Sequence, residues 1–267
     1  MTSSSYVAAP DDGCAWITGA SSGIGRSLAL SLARDGWTVV ATARSSDKLD
    51  TLCAEASGFS GRIVPVPGDV TDAESMISSC DDIVRDLGVP ALLVANAGVY
   101  HPQDGLAGNP EEWRQTIAVN LNGTVNVLLP VISRMKEQGR GQIAIVSSVA
   151  GYRGLPTSAA YGATKAGLIN MAEALKFDLD RANIRIQVVN PGFVDTPATR
   201  GNPFPMPDLM TVDEAVVEFR KGLNDPKRFE IAFPKAFVRK MKLLRLLPYR
   251  WFFPVLAKAT GWDRKTD

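Results

Sequence analysis

Short apolar runs rich in β-branched residues alternate with longer amphipathic stretches along most of the chain. The runs predict strands at 14–18, 37–42, 62–66, 91–95, 142–147, 184–189 and 228–233. One helical pattern follows the first strand as far as Arg34, and another begins at Thr71. Further helical patterns cover 110–136, 158–181 and 212–222, and Pro130 is an expected kink in the first of these three. This alternation predicts an α/β fold: a doubly wound parallel sheet of about seven strands with helices on both faces.

Composition narrows the class of protein. The chain has 267 residues, and its 45% hydrophobic content is enough for a sizeable core. The balance of 29 basic and 28 acidic residues argues against nucleic acid as a partner. Three cysteines without a CxxC pair and a single histidine predict no metal site and favour the reduced thiols of a cytoplasmic protein. We expect no signal peptide and no membrane-spanning helix, since neither apolar pattern is present.

A glycine-rich turn joins the first predicted strand to the first helix. It reads Thr18-Gly-Ala-Ser-Ser-Gly-Ile-Gly25, and its glycines let the backbone turn tightly and approach a ligand. The amides and dipole of the helix that follows favour a pyrophosphate. The alternative is a turn that is glycine-rich for steric reasons alone. The predicted cofactor contacts here are Gly19, Ser21, Ser22, Gly23, Ile24 and Gly25.

Arg44 stands just after the second predicted strand, where an acidic residue would bind the ribose hydroxyls of NAD. A guanidinium at this position can instead pair with a 2′-phosphate. The sequence therefore favours NADP(H) over NAD(H) as cofactor, the alternative being a solvated surface arginine.

Further candidate cofactor residues follow the third and fourth strands. Asp69 and Val70 end the third strand, and Asp69 either accepts a hydrogen bond from the adenine amino group or caps the next helix. The small residues of Asn96-Ala97-Gly98 end the fourth strand and leave room for a ribose. The carboxyl ends of parallel strands are where such sheets bind ligands.

Ser148, Tyr161 and Lys165 form the candidate catalytic group. Tyr161 and Lys165 are four residues apart, so that on a helix both lie on one face. An ammonium near a phenol favours the phenolate and is expected to lower the pKa of the tyrosine toward neutrality. Such a tyrosine can exchange a proton with a substrate oxygen, which Ser148 would hold. A packed tyrosine and a solvated lysine are the alternative for a YxxxK pair alone.

Taken together, these residues resemble the short-chain dehydrogenases/reductases over about residues 14–200. The turn matches the family's TGxxxGxG, Asn96-Ala-Gly98 matches NNAG with Ala95 replacing the first asparagine, and the serine and YxxxK motifs are in order. Asn120 matches the helix asparagine of the catalytic tetrad. The segment after the sixth strand matches the motif that contacts the nicotinamide, and its residues are Pro191, Gly192, Val194 and Thr196.

The resemblance implies hydride transfer between a nicotinamide and a carbonyl or an alcohol. It assigns Tyr161 as general acid or base, Ser148 to the carbonyl, and Lys165 to the nicotinamide ribose and the tyrosine. Asn120 would hold a water that relays protons. The resemblance also implies a homodimer through the helices at 110–136 and 158–181.

The C-terminus departs from the family. Residues 231–262 hold seven basic residues and no acidic one, interleaved with aromatic and aliphatic side chains. We expect residues 1–12 to be flexible, residues 13–233 to form a Rossmann-fold catalytic domain, and residues 234–267 to be a basic amphipathic extension on or near the substrate cleft. In a helix drawn from Phe237, Leu243 falls on the apolar side and Val238 on the basic side. Such a segment suits peripheral contact with an anionic membrane through 234–258, at its inner face, or packing over the cleft.

The predicted substrate is a hydrophobic carbonyl or alcohol, because the expected lid at 197–210 is rich in proline and apolar residues. Three alternatives stay open. The first is a 3-ketoacyl-type reductase of lipid metabolism, and the second is a non-catalytic nucleotide-sensing protein on the same fold. The third is an epimerase or dehydratase of the related extended fold. Such proteins carry a TGxxGxxG turn and a larger C-terminal substrate domain, and this sequence has neither.

Overall fold

A single sheet of seven parallel strands forms the centre of the molecule, a computed structural model that describes residues 5–200, 202 and 206–263. The strand order is β3-β2-β1-β4-β5-β6-β7, and every neighbouring pair is parallel. This confirms the predicted doubly wound sheet. The strands are β1 (Ala15–Thr18), β2 (Thr38–Thr42), β3 (Arg62–Pro65), β4 (Leu92–Ala95), β5 (Gly141–Val146), β6 (Ile184–Pro191) and β7 (Glu230–Phe233).

Helices cover both faces of this sheet. One face carries α1 (Gly23–Arg34), α2 (Ser46–Glu55) and α7 (Val212–Leu223). The opposite face carries α3 (Ala73–Leu87), α5 (Gly123–Gln138), α6 (Ala159–Arg181) and α8 (Lys235–Leu246). The remaining helices described are α4 (Pro110–Ile117), which leads into α5, and α9 (Tyr249–Thr260), which follows α8.

Alternation of side chains along the strands divides the core into two layers. In β1, Trp16 packs with the layer beneath α3, α5 and α6, and its neighbour Ile17 packs with the layer beneath α1 and α7. All four residues of β1 are buried, as are all four of β4. Burial on both faces explains why these central strands read as apolar runs.

The helix predicted over 110–136 is found as one continuous run, Pro110–Gln138, and a kink at Pro130 stays a prediction. Residues 118–122 form a π-helical turn that joins α4 to α5, and Pro130 lies inside α5. Two helices were also missed, α2 and α9. Each is short, and the polar composition of α2 and the proline within α9, Pro254, obscured their periodicity.

The helical run Pro110–Gln138 is long and apolar enough to cross a membrane by length and composition, with a mean hydropathy of 1.4 in its most apolar window. Four of its large apolar side chains are used inside the protein. Val127, Leu128, Val131 and Met135 are buried against the sheet and α3. The run is therefore accounted for as a core helix.

Residues 5–12 run along the body of the protein. The Ala8 amide donates to Gln142 Oε1 over 2.9 Å, and the Arg140 guanidinium lies 5.9 Å from the Tyr6 ring centroid. Flexibility of the segment 1–12 stays a prediction.

Candidate active site

A cavity of about 840 Å³ opens along the carboxyl edge of the sheet. It lies at the point where the strand order reverses, between β1 and β4, which is where doubly wound sheets bind ligands. Of the predicted site residues, those that line it are Gly19, Ser21, Ser22, Gly23, Ile24, Arg44, Asp69, Val70, Asn96, Ala97, Gly98, Ser148, Tyr161, Lys165, Pro191, Gly192, Val194 and Thr196. Gly25 and Asn120 do not line the cavity, and both lie directly behind its wall.

The glycine turn is locked against the end of β4. Asn96 Nδ2 donates to the carbonyls of Thr18 and Gly19 over 3.0 and 3.2 Å. Gly19 has a φ of +67°, and a side chain there would approach the Ala97 Cα to 2.8 Å. A side chain at Gly25 would come within 2.5 Å of both the Gly19 carbonyl oxygen and Asn96 Nδ2. The glycines thus fix the backbone of the turn, and Gly25 acts from the second layer.

The first turn of α1 suits an anionic group. Its N-cap residue Ser22 makes no side-chain hydrogen bond to the helix amides, so those donors are not capped by the protein's own side chains. Ser22 and Gly23 both line the cavity. Amide donors and the positive end of a helix dipole at this position fit the pyrophosphate of a dinucleotide.

Two cations line the cavity beyond β2. Arg44 is exposed, and neither it nor Lys48 forms an ion pair within the described residues. Lys48 was missed by sequence reasoning because α2 was not predicted. Once Ser45 is known to be the N-cap of α2, Lys48 falls in the first helical turn, where the helix dipole disfavours a cation. An anionic ligand at this corner would offset that cost.

Asp69 uses one carboxylate oxygen within its own loop. Its Oδ1 accepts hydrogen bonds from the Thr71 amide and hydroxyl, both at 2.9 Å. The cap of α3 is Asp72, whose side chain accepts from the Ser75 amide over 3.0 Å. The helix-cap alternative therefore applies to Asp72, and Asp69 faces the cavity.

The two serines after β5 have different roles. Ser147 is buried and donates its hydroxyl to the Lys165 carbonyl over 2.7 Å, which ties β5 to α6. Ser148 Oγ accepts from the Ala150 amide over 3.1 Å and donates to the Pro191 carbonyl over 3.4 Å, and Tyr161 lines the same cavity. The structure thus brings Ser148 and Tyr161 together at the cavity wall.

Burial governs the proton affinity of Tyr161. It raises the pKa of Tyr161 to about 12, and the hydrogen bond with Ser148 acts in the opposite direction without overcoming it. The expectation that Lys165 brings this pKa toward neutrality is therefore wrong for the protein alone. The Lys165 Nζ donates to the Val146 carbonyl over 2.9 Å and lies 5.6 Å from the Tyr161 ring centroid. At neutral pH the phenol keeps its proton.

Lys165 is almost completely buried, and burial lowers its pKa to about 8. At neutral pH the buried amine is predominantly protonated. Its charge stands beside the tyrosine that would carry negative charge after donating a proton. The pair therefore favours proton donation from Tyr161 to a substrate oxygen.

The buried lysine should leave a signature in stability. Between its folded pKa of about 8 and the ordinary value of 10.5, the unfolded chain binds more protons, so stability rises with pH in this window. Lys165→Met should remove that rise. The wild-type stability relative to the variant should increase by about 3 kcal/mol from pH 7 to pH 11, from 1.36 kcal/mol per pKa unit.

Urea unfolding at a series of pH values checks this expectation. Lys136→Met, the same replacement at an exposed position of α5, is the matched control and should give a difference that stays flat. A flat difference for Lys165→Met as well would contradict the buried charge.

Asn120 lies in the π-helical turn and is fully buried. Its Oδ1 accepts from the Val99 amide over 2.8 Å, and its Nδ2 donates to the Val99 carbonyl over 3.0 Å. The side chain thus positions the loop after β4, next to Gly98 and Lys165. The water-holding role implied by resemblance stays a prediction, since both polar atoms of this side chain have protein partners.

The C-terminal helices and the loop after β6 form the far wall of the cavity. The loop residues described there include Pro197, Thr199, Asn202 and Pro207, whereas Phe204 and its two neighbours lie outside the described residues, as does Gly201. The wall residues from the extension are Phe237, Lys240, Met241, Leu244, Leu256, Ala259, Thr260 and Trp262. Lys240 also pairs with Asp208 over 3.3 Å, so α8 is tied to the loop.

A half-buried carboxylate fastens α8 to the sheet. Glu230 in β7 accepts hydrogen bonds from Tyr152, from Asn190 and from Lys242 of α8. Burial alone would raise the pKa of Glu230, but these hydrogen bonds outweigh it and hold the pKa below its usual range. The carboxylate and the Lys242 ammonium thus form an ion pair that holds the extension against the body.

Sequence reasoning missed several other lining residues. Tyr100 packs edge-on against Tyr161, with ring centroids 4.9 Å apart, and its hydroxyl lies 3.2 Å from the Thr157 hydroxyl. Leu155 and Phe193 also line the cavity. These positions belong to loops whose path depends on tertiary packing, so no local pattern predicted them.

Comparison with known proteins gives the family. The short chain dehydrogenase model matches residues 13–203. An uncharacterized oxidoreductase of Myxococcus xanthus is 38% identical over 88% of this chain and 92% of its own length. The 3-oxoacyl-[acyl-carrier-protein] reductase FabG of Thermotoga maritima is 39% identical over 70% of this chain and 76% of its own length. An alcohol dehydrogenase from the archaeon Thermococcus sibiricus, solved as a complex with 5-hydroxy-NADP, aligns with a TM-score of 0.74 at 28% identity, over 82% of this chain and 95% of that chain.

A switch-point cavity that joins an uncapped helix N-terminus to a serine and a tyrosine on one wall defines an oxidoreductase of the Rossmann class. The family model agrees with this class, since it matches residues 13–203, which include the strands and motifs that build the cavity. The chain belongs to the short-chain dehydrogenase family, as its motifs predicted, and that fold implies a nicotinamide cofactor. The matched region ends at residue 203, so α8 and α9 lie beyond it.

Proposed function

We propose that this protein is an NADP(H)-dependent oxidoreductase that interconverts a carbonyl and an alcohol on a hydrophobic substrate. The observation that carries the proposal is the grouping of Ser148 and Tyr161 with the buried Lys165, all lining one cavity with the glycine turn. The nicotinamide, when bound, supplies or accepts the hydride at the substrate carbon. The protein's own side chains act at the substrate oxygen.

In reduction, negative charge develops on the substrate oxygen as its carbon gains the hydride. The hydroxyls of Ser148 and Tyr161 are two preformed donors at this wall, each worth on the order of 3 kcal/mol to a transition state. The Tyr161 hydroxyl then gives its proton to that oxygen, which completes the alcohol. The resulting phenolate is stabilised by the Lys165 ammonium. Since burial keeps Tyr161 protonated at neutral pH, the acid that reduction needs is already in its proton-donating form.

Arg44 and Lys48 support the choice of NADP(H). Both line the cavity next to the end of β2. The end of that strand carries no acidic residue that could bind the ribose hydroxyls of NAD. Two cations can neutralise a 2′-phosphate that carries two negative charges, and the guanidinium can bind it through two hydrogen bonds.

Apolar side chains on the far side of the cavity support a hydrophobic substrate. They come from three parts of the chain and are Leu155, Phe193, Phe237, Met241, Leu244, Leu256 and Trp262. This pocket is lined mainly by apolar side chains and has two hydroxyls at one point. Such a lining orients a hydrophobic molecule through its one polar group.

Trp262→Ala is expected to lower kcat/KM about tenfold for long-chain carbonyls and to leave short ones unchanged, because a large apolar contact is lost. Trp262 lines the cavity although 64% of it is exposed. Trp251→Ala is the matched control, since Trp251 is exposed on α9 and does not line the cavity. Steady-state assays against a carbonyl series of increasing length make the measurement. Equal losses for short and long substrates would show that this wall does not contact substrate.

A 3-ketoacyl-type reductase is the second candidate, favoured by the 39% identity to a 3-oxoacyl-[acyl-carrier-protein] reductase. The same three side chains would serve that reaction. NADPH consumption with aliphatic aldehydes, ketones and 3-oxoacyl thioesters separates the two candidates. Turnover confined to the thioesters would establish the second. NADPH binding without turnover of any carbonyl would favour the non-catalytic nucleotide-sensing alternative.

We also propose that the protein forms a homodimer in the cytoplasm. The helices implied by the resemblance expose Leu129 of α5 and Phe177 of α6, at 58% and 66%. Exposed large side chains on helices whose opposite faces are buried suit an interface with a second copy. Light scattering of the wild type and of a Leu129→Asp, Phe177→Asp variant would decide whether they hold two copies together.

A further inference from the structure

We infer that the outer face of α8 and α9 is a docking surface for an anionic lipid membrane. This inference stands apart from the reaction proposed above, because it rests on the outside of the two helices. The apolar side chains on the inner faces of these helices are buried against the rest of the protein. Phe237, Val238 and Met241 of α8 are buried, and so are Phe252 and Leu256 of α9.

The outer face is unusually apolar. Seven large side chains, each between 45% and 78% exposed, follow one another within 20 residues: Leu243, Leu246, Tyr249, Trp251, Phe253, Val255 and Trp262. Leu243 is among them although the sequence placed it on the buried side, and Val238 is buried although the sequence placed it on the basic side. Relative to the orientation expected from the sequence, α8 is rotated, so that Leu243 and Leu246 are exposed among its charged side chains. Exposed large apolar side chains of this kind mark an interaction surface.

Unpaired positive charge surrounds these side chains. Seven basic residues and no acidic residue lie between Ile231 and Trp262. Lys240 and Lys242 pair with Asp208 and Glu230. The other five have no ion pair within the described residues: Lys235, Arg239, Arg245, Arg250 and Lys258. The rest of the chain holds 22 basic against 28 acidic residues, so the molecule is charged asymmetrically.

The combination selects lipid over a second copy of the chain. Identical surfaces of this composition would bring like charges together, whereas an anionic headgroup layer complements them. Tryptophan and tyrosine with arginine and lysine are the side chains that favour the boundary between headgroups and acyl chains. Pro248 separates the two helices, and each has 12 residues, which suits helices lying on a surface.

The surface is held in place before it meets a membrane. The Arg153 guanidinium lies 4.6 Å from the Tyr249 ring centroid and 4.2 Å from that of Phe252, and it donates to the Leu247 carbonyl over 3.1 Å. With the Glu230 ion pair on α8, this contact fixes both helices to the body. Since Leu244 of α8 and Leu256 of α9 line the cavity, as does Trp262 just after α9, a docked molecule would hold its cavity beside the lipid.

Flotation with vesicles of phosphatidylcholine alone and with added phosphatidylglycerol tests the inference on the full chain. We expect binding to the anionic vesicles, at least tenfold weaker binding to the neutral ones, and release as salt is raised. Trp251→Ser with Phe253→Ser should lower the partition coefficient at least tenfold, because two inserted apolar groups are lost. The matched control, Ile77→Ser with Val217→Ser, removes two side chains that are 50% and 51% exposed on other helices and should bind as the wild type does.

Two further measurements keep the result interpretable. A blue shift of the wild-type tryptophan fluorescence on adding anionic vesicles is expected, and it does not depend on any variant folding. Arg250→Gln with Lys258→Gln should weaken binding to anionic vesicles and reduce its salt dependence. Equal binding to neutral and anionic vesicles, or no binding to either, would overturn the inference. So would a serine variant that binds vesicles normally and differs only in its oligomeric state.

Discussion

Tyr161→Phe is expected to lower kcat for carbonyl reduction by about 10²–10⁴-fold, the range that a positioned general acid contributes. The substitution removes the phenolic hydroxyl at the cavity wall and keeps the ring that packs against Tyr100. The fold and the cavity should therefore persist. NADPH titration by fluorescence should give a dissociation constant within a few-fold of the wild type, while NADPH oxidation with substrate almost ceases.

Tyr6→Phe is the matched control for this variant. Tyr6 lies near Arg140 at the N-terminal segment and does not line the cavity. Removing its hydroxyl should leave kcat unchanged. Turnover by Tyr161→Phe at the wild-type rate would overturn the assignment of the acid, and loss of NADPH binding by that variant would mean that Tyr161 supports the cofactor site.

Arg44→Asp is expected to weaken NADPH binding about 100-fold, since hydrogen bonds to charged groups contribute about 1.5–3 kcal/mol and the new carboxylate repels a phosphate. NADH lacks that phosphate. A carboxylate at the end of the second strand can accept hydrogen bonds from its ribose hydroxyls, so NADH binding should be retained or improved. Titration of both cofactors against wild type and variant makes the comparison.

Arg62→Asp provides the same change of charge at the amino-terminal ends of the strands, away from the cavity. Arg62 is exposed and begins β3, whereas Arg44 follows the end of β2. It should leave both dissociation constants near their wild-type values. Similar losses of NADPH and NADH in Arg44→Asp would contradict a role for Arg44 in choosing between them.

The fold was predictable because its signals are local and repeated. Each central strand is buried on both faces, so β4 appears as a continuous apolar run, and the alternation with helices leaves few topologies. The position of the cavity followed from the motifs, because parallel strands bring their carboxyl ends to one edge. Thus Gly19, Asn96 and Ser148, distant in sequence, line one cavity.

The details that failed depend on tertiary surroundings. The pKa of Tyr161 was expected to fall because a lysine is four residues away. Burial of the phenol has the larger effect, and the Lys165 ammonium is engaged by the Val146 carbonyl. The π-helical turn within the long helix was not marked by any sequence pattern, and the proline lies inside α5. Neither result could be obtained from spacing alone.

The C-terminal extension shows the limit of helical drawings. The sequence suggested an amphipathic helix with Val238 toward solvent and Leu243 toward the core, and the structure reverses both. The rotation is set by partners outside the helix, namely the Glu230 carboxylate that binds Lys242 and the groove that receives Phe237 beside Gly192. Such partners are visible only once β7 and the loop after β6 are in place.

The central claim is that Tyr161 protonates a substrate oxygen while hydride from NADPH reaches the adjoining carbon. Reduction of an accepted carbonyl with NADPH deuterated at the transferable C4 position tests it most directly, by mass spectrometry of the alcohol. The wild type and Tyr6→Phe should place one deuterium on the carbinol carbon, with a primary isotope effect once chemistry limits the rate, and Tyr161→Phe should form almost no alcohol. Alcohol without the label, or labelled alcohol formed equally fast by Tyr161→Phe, would contradict the account.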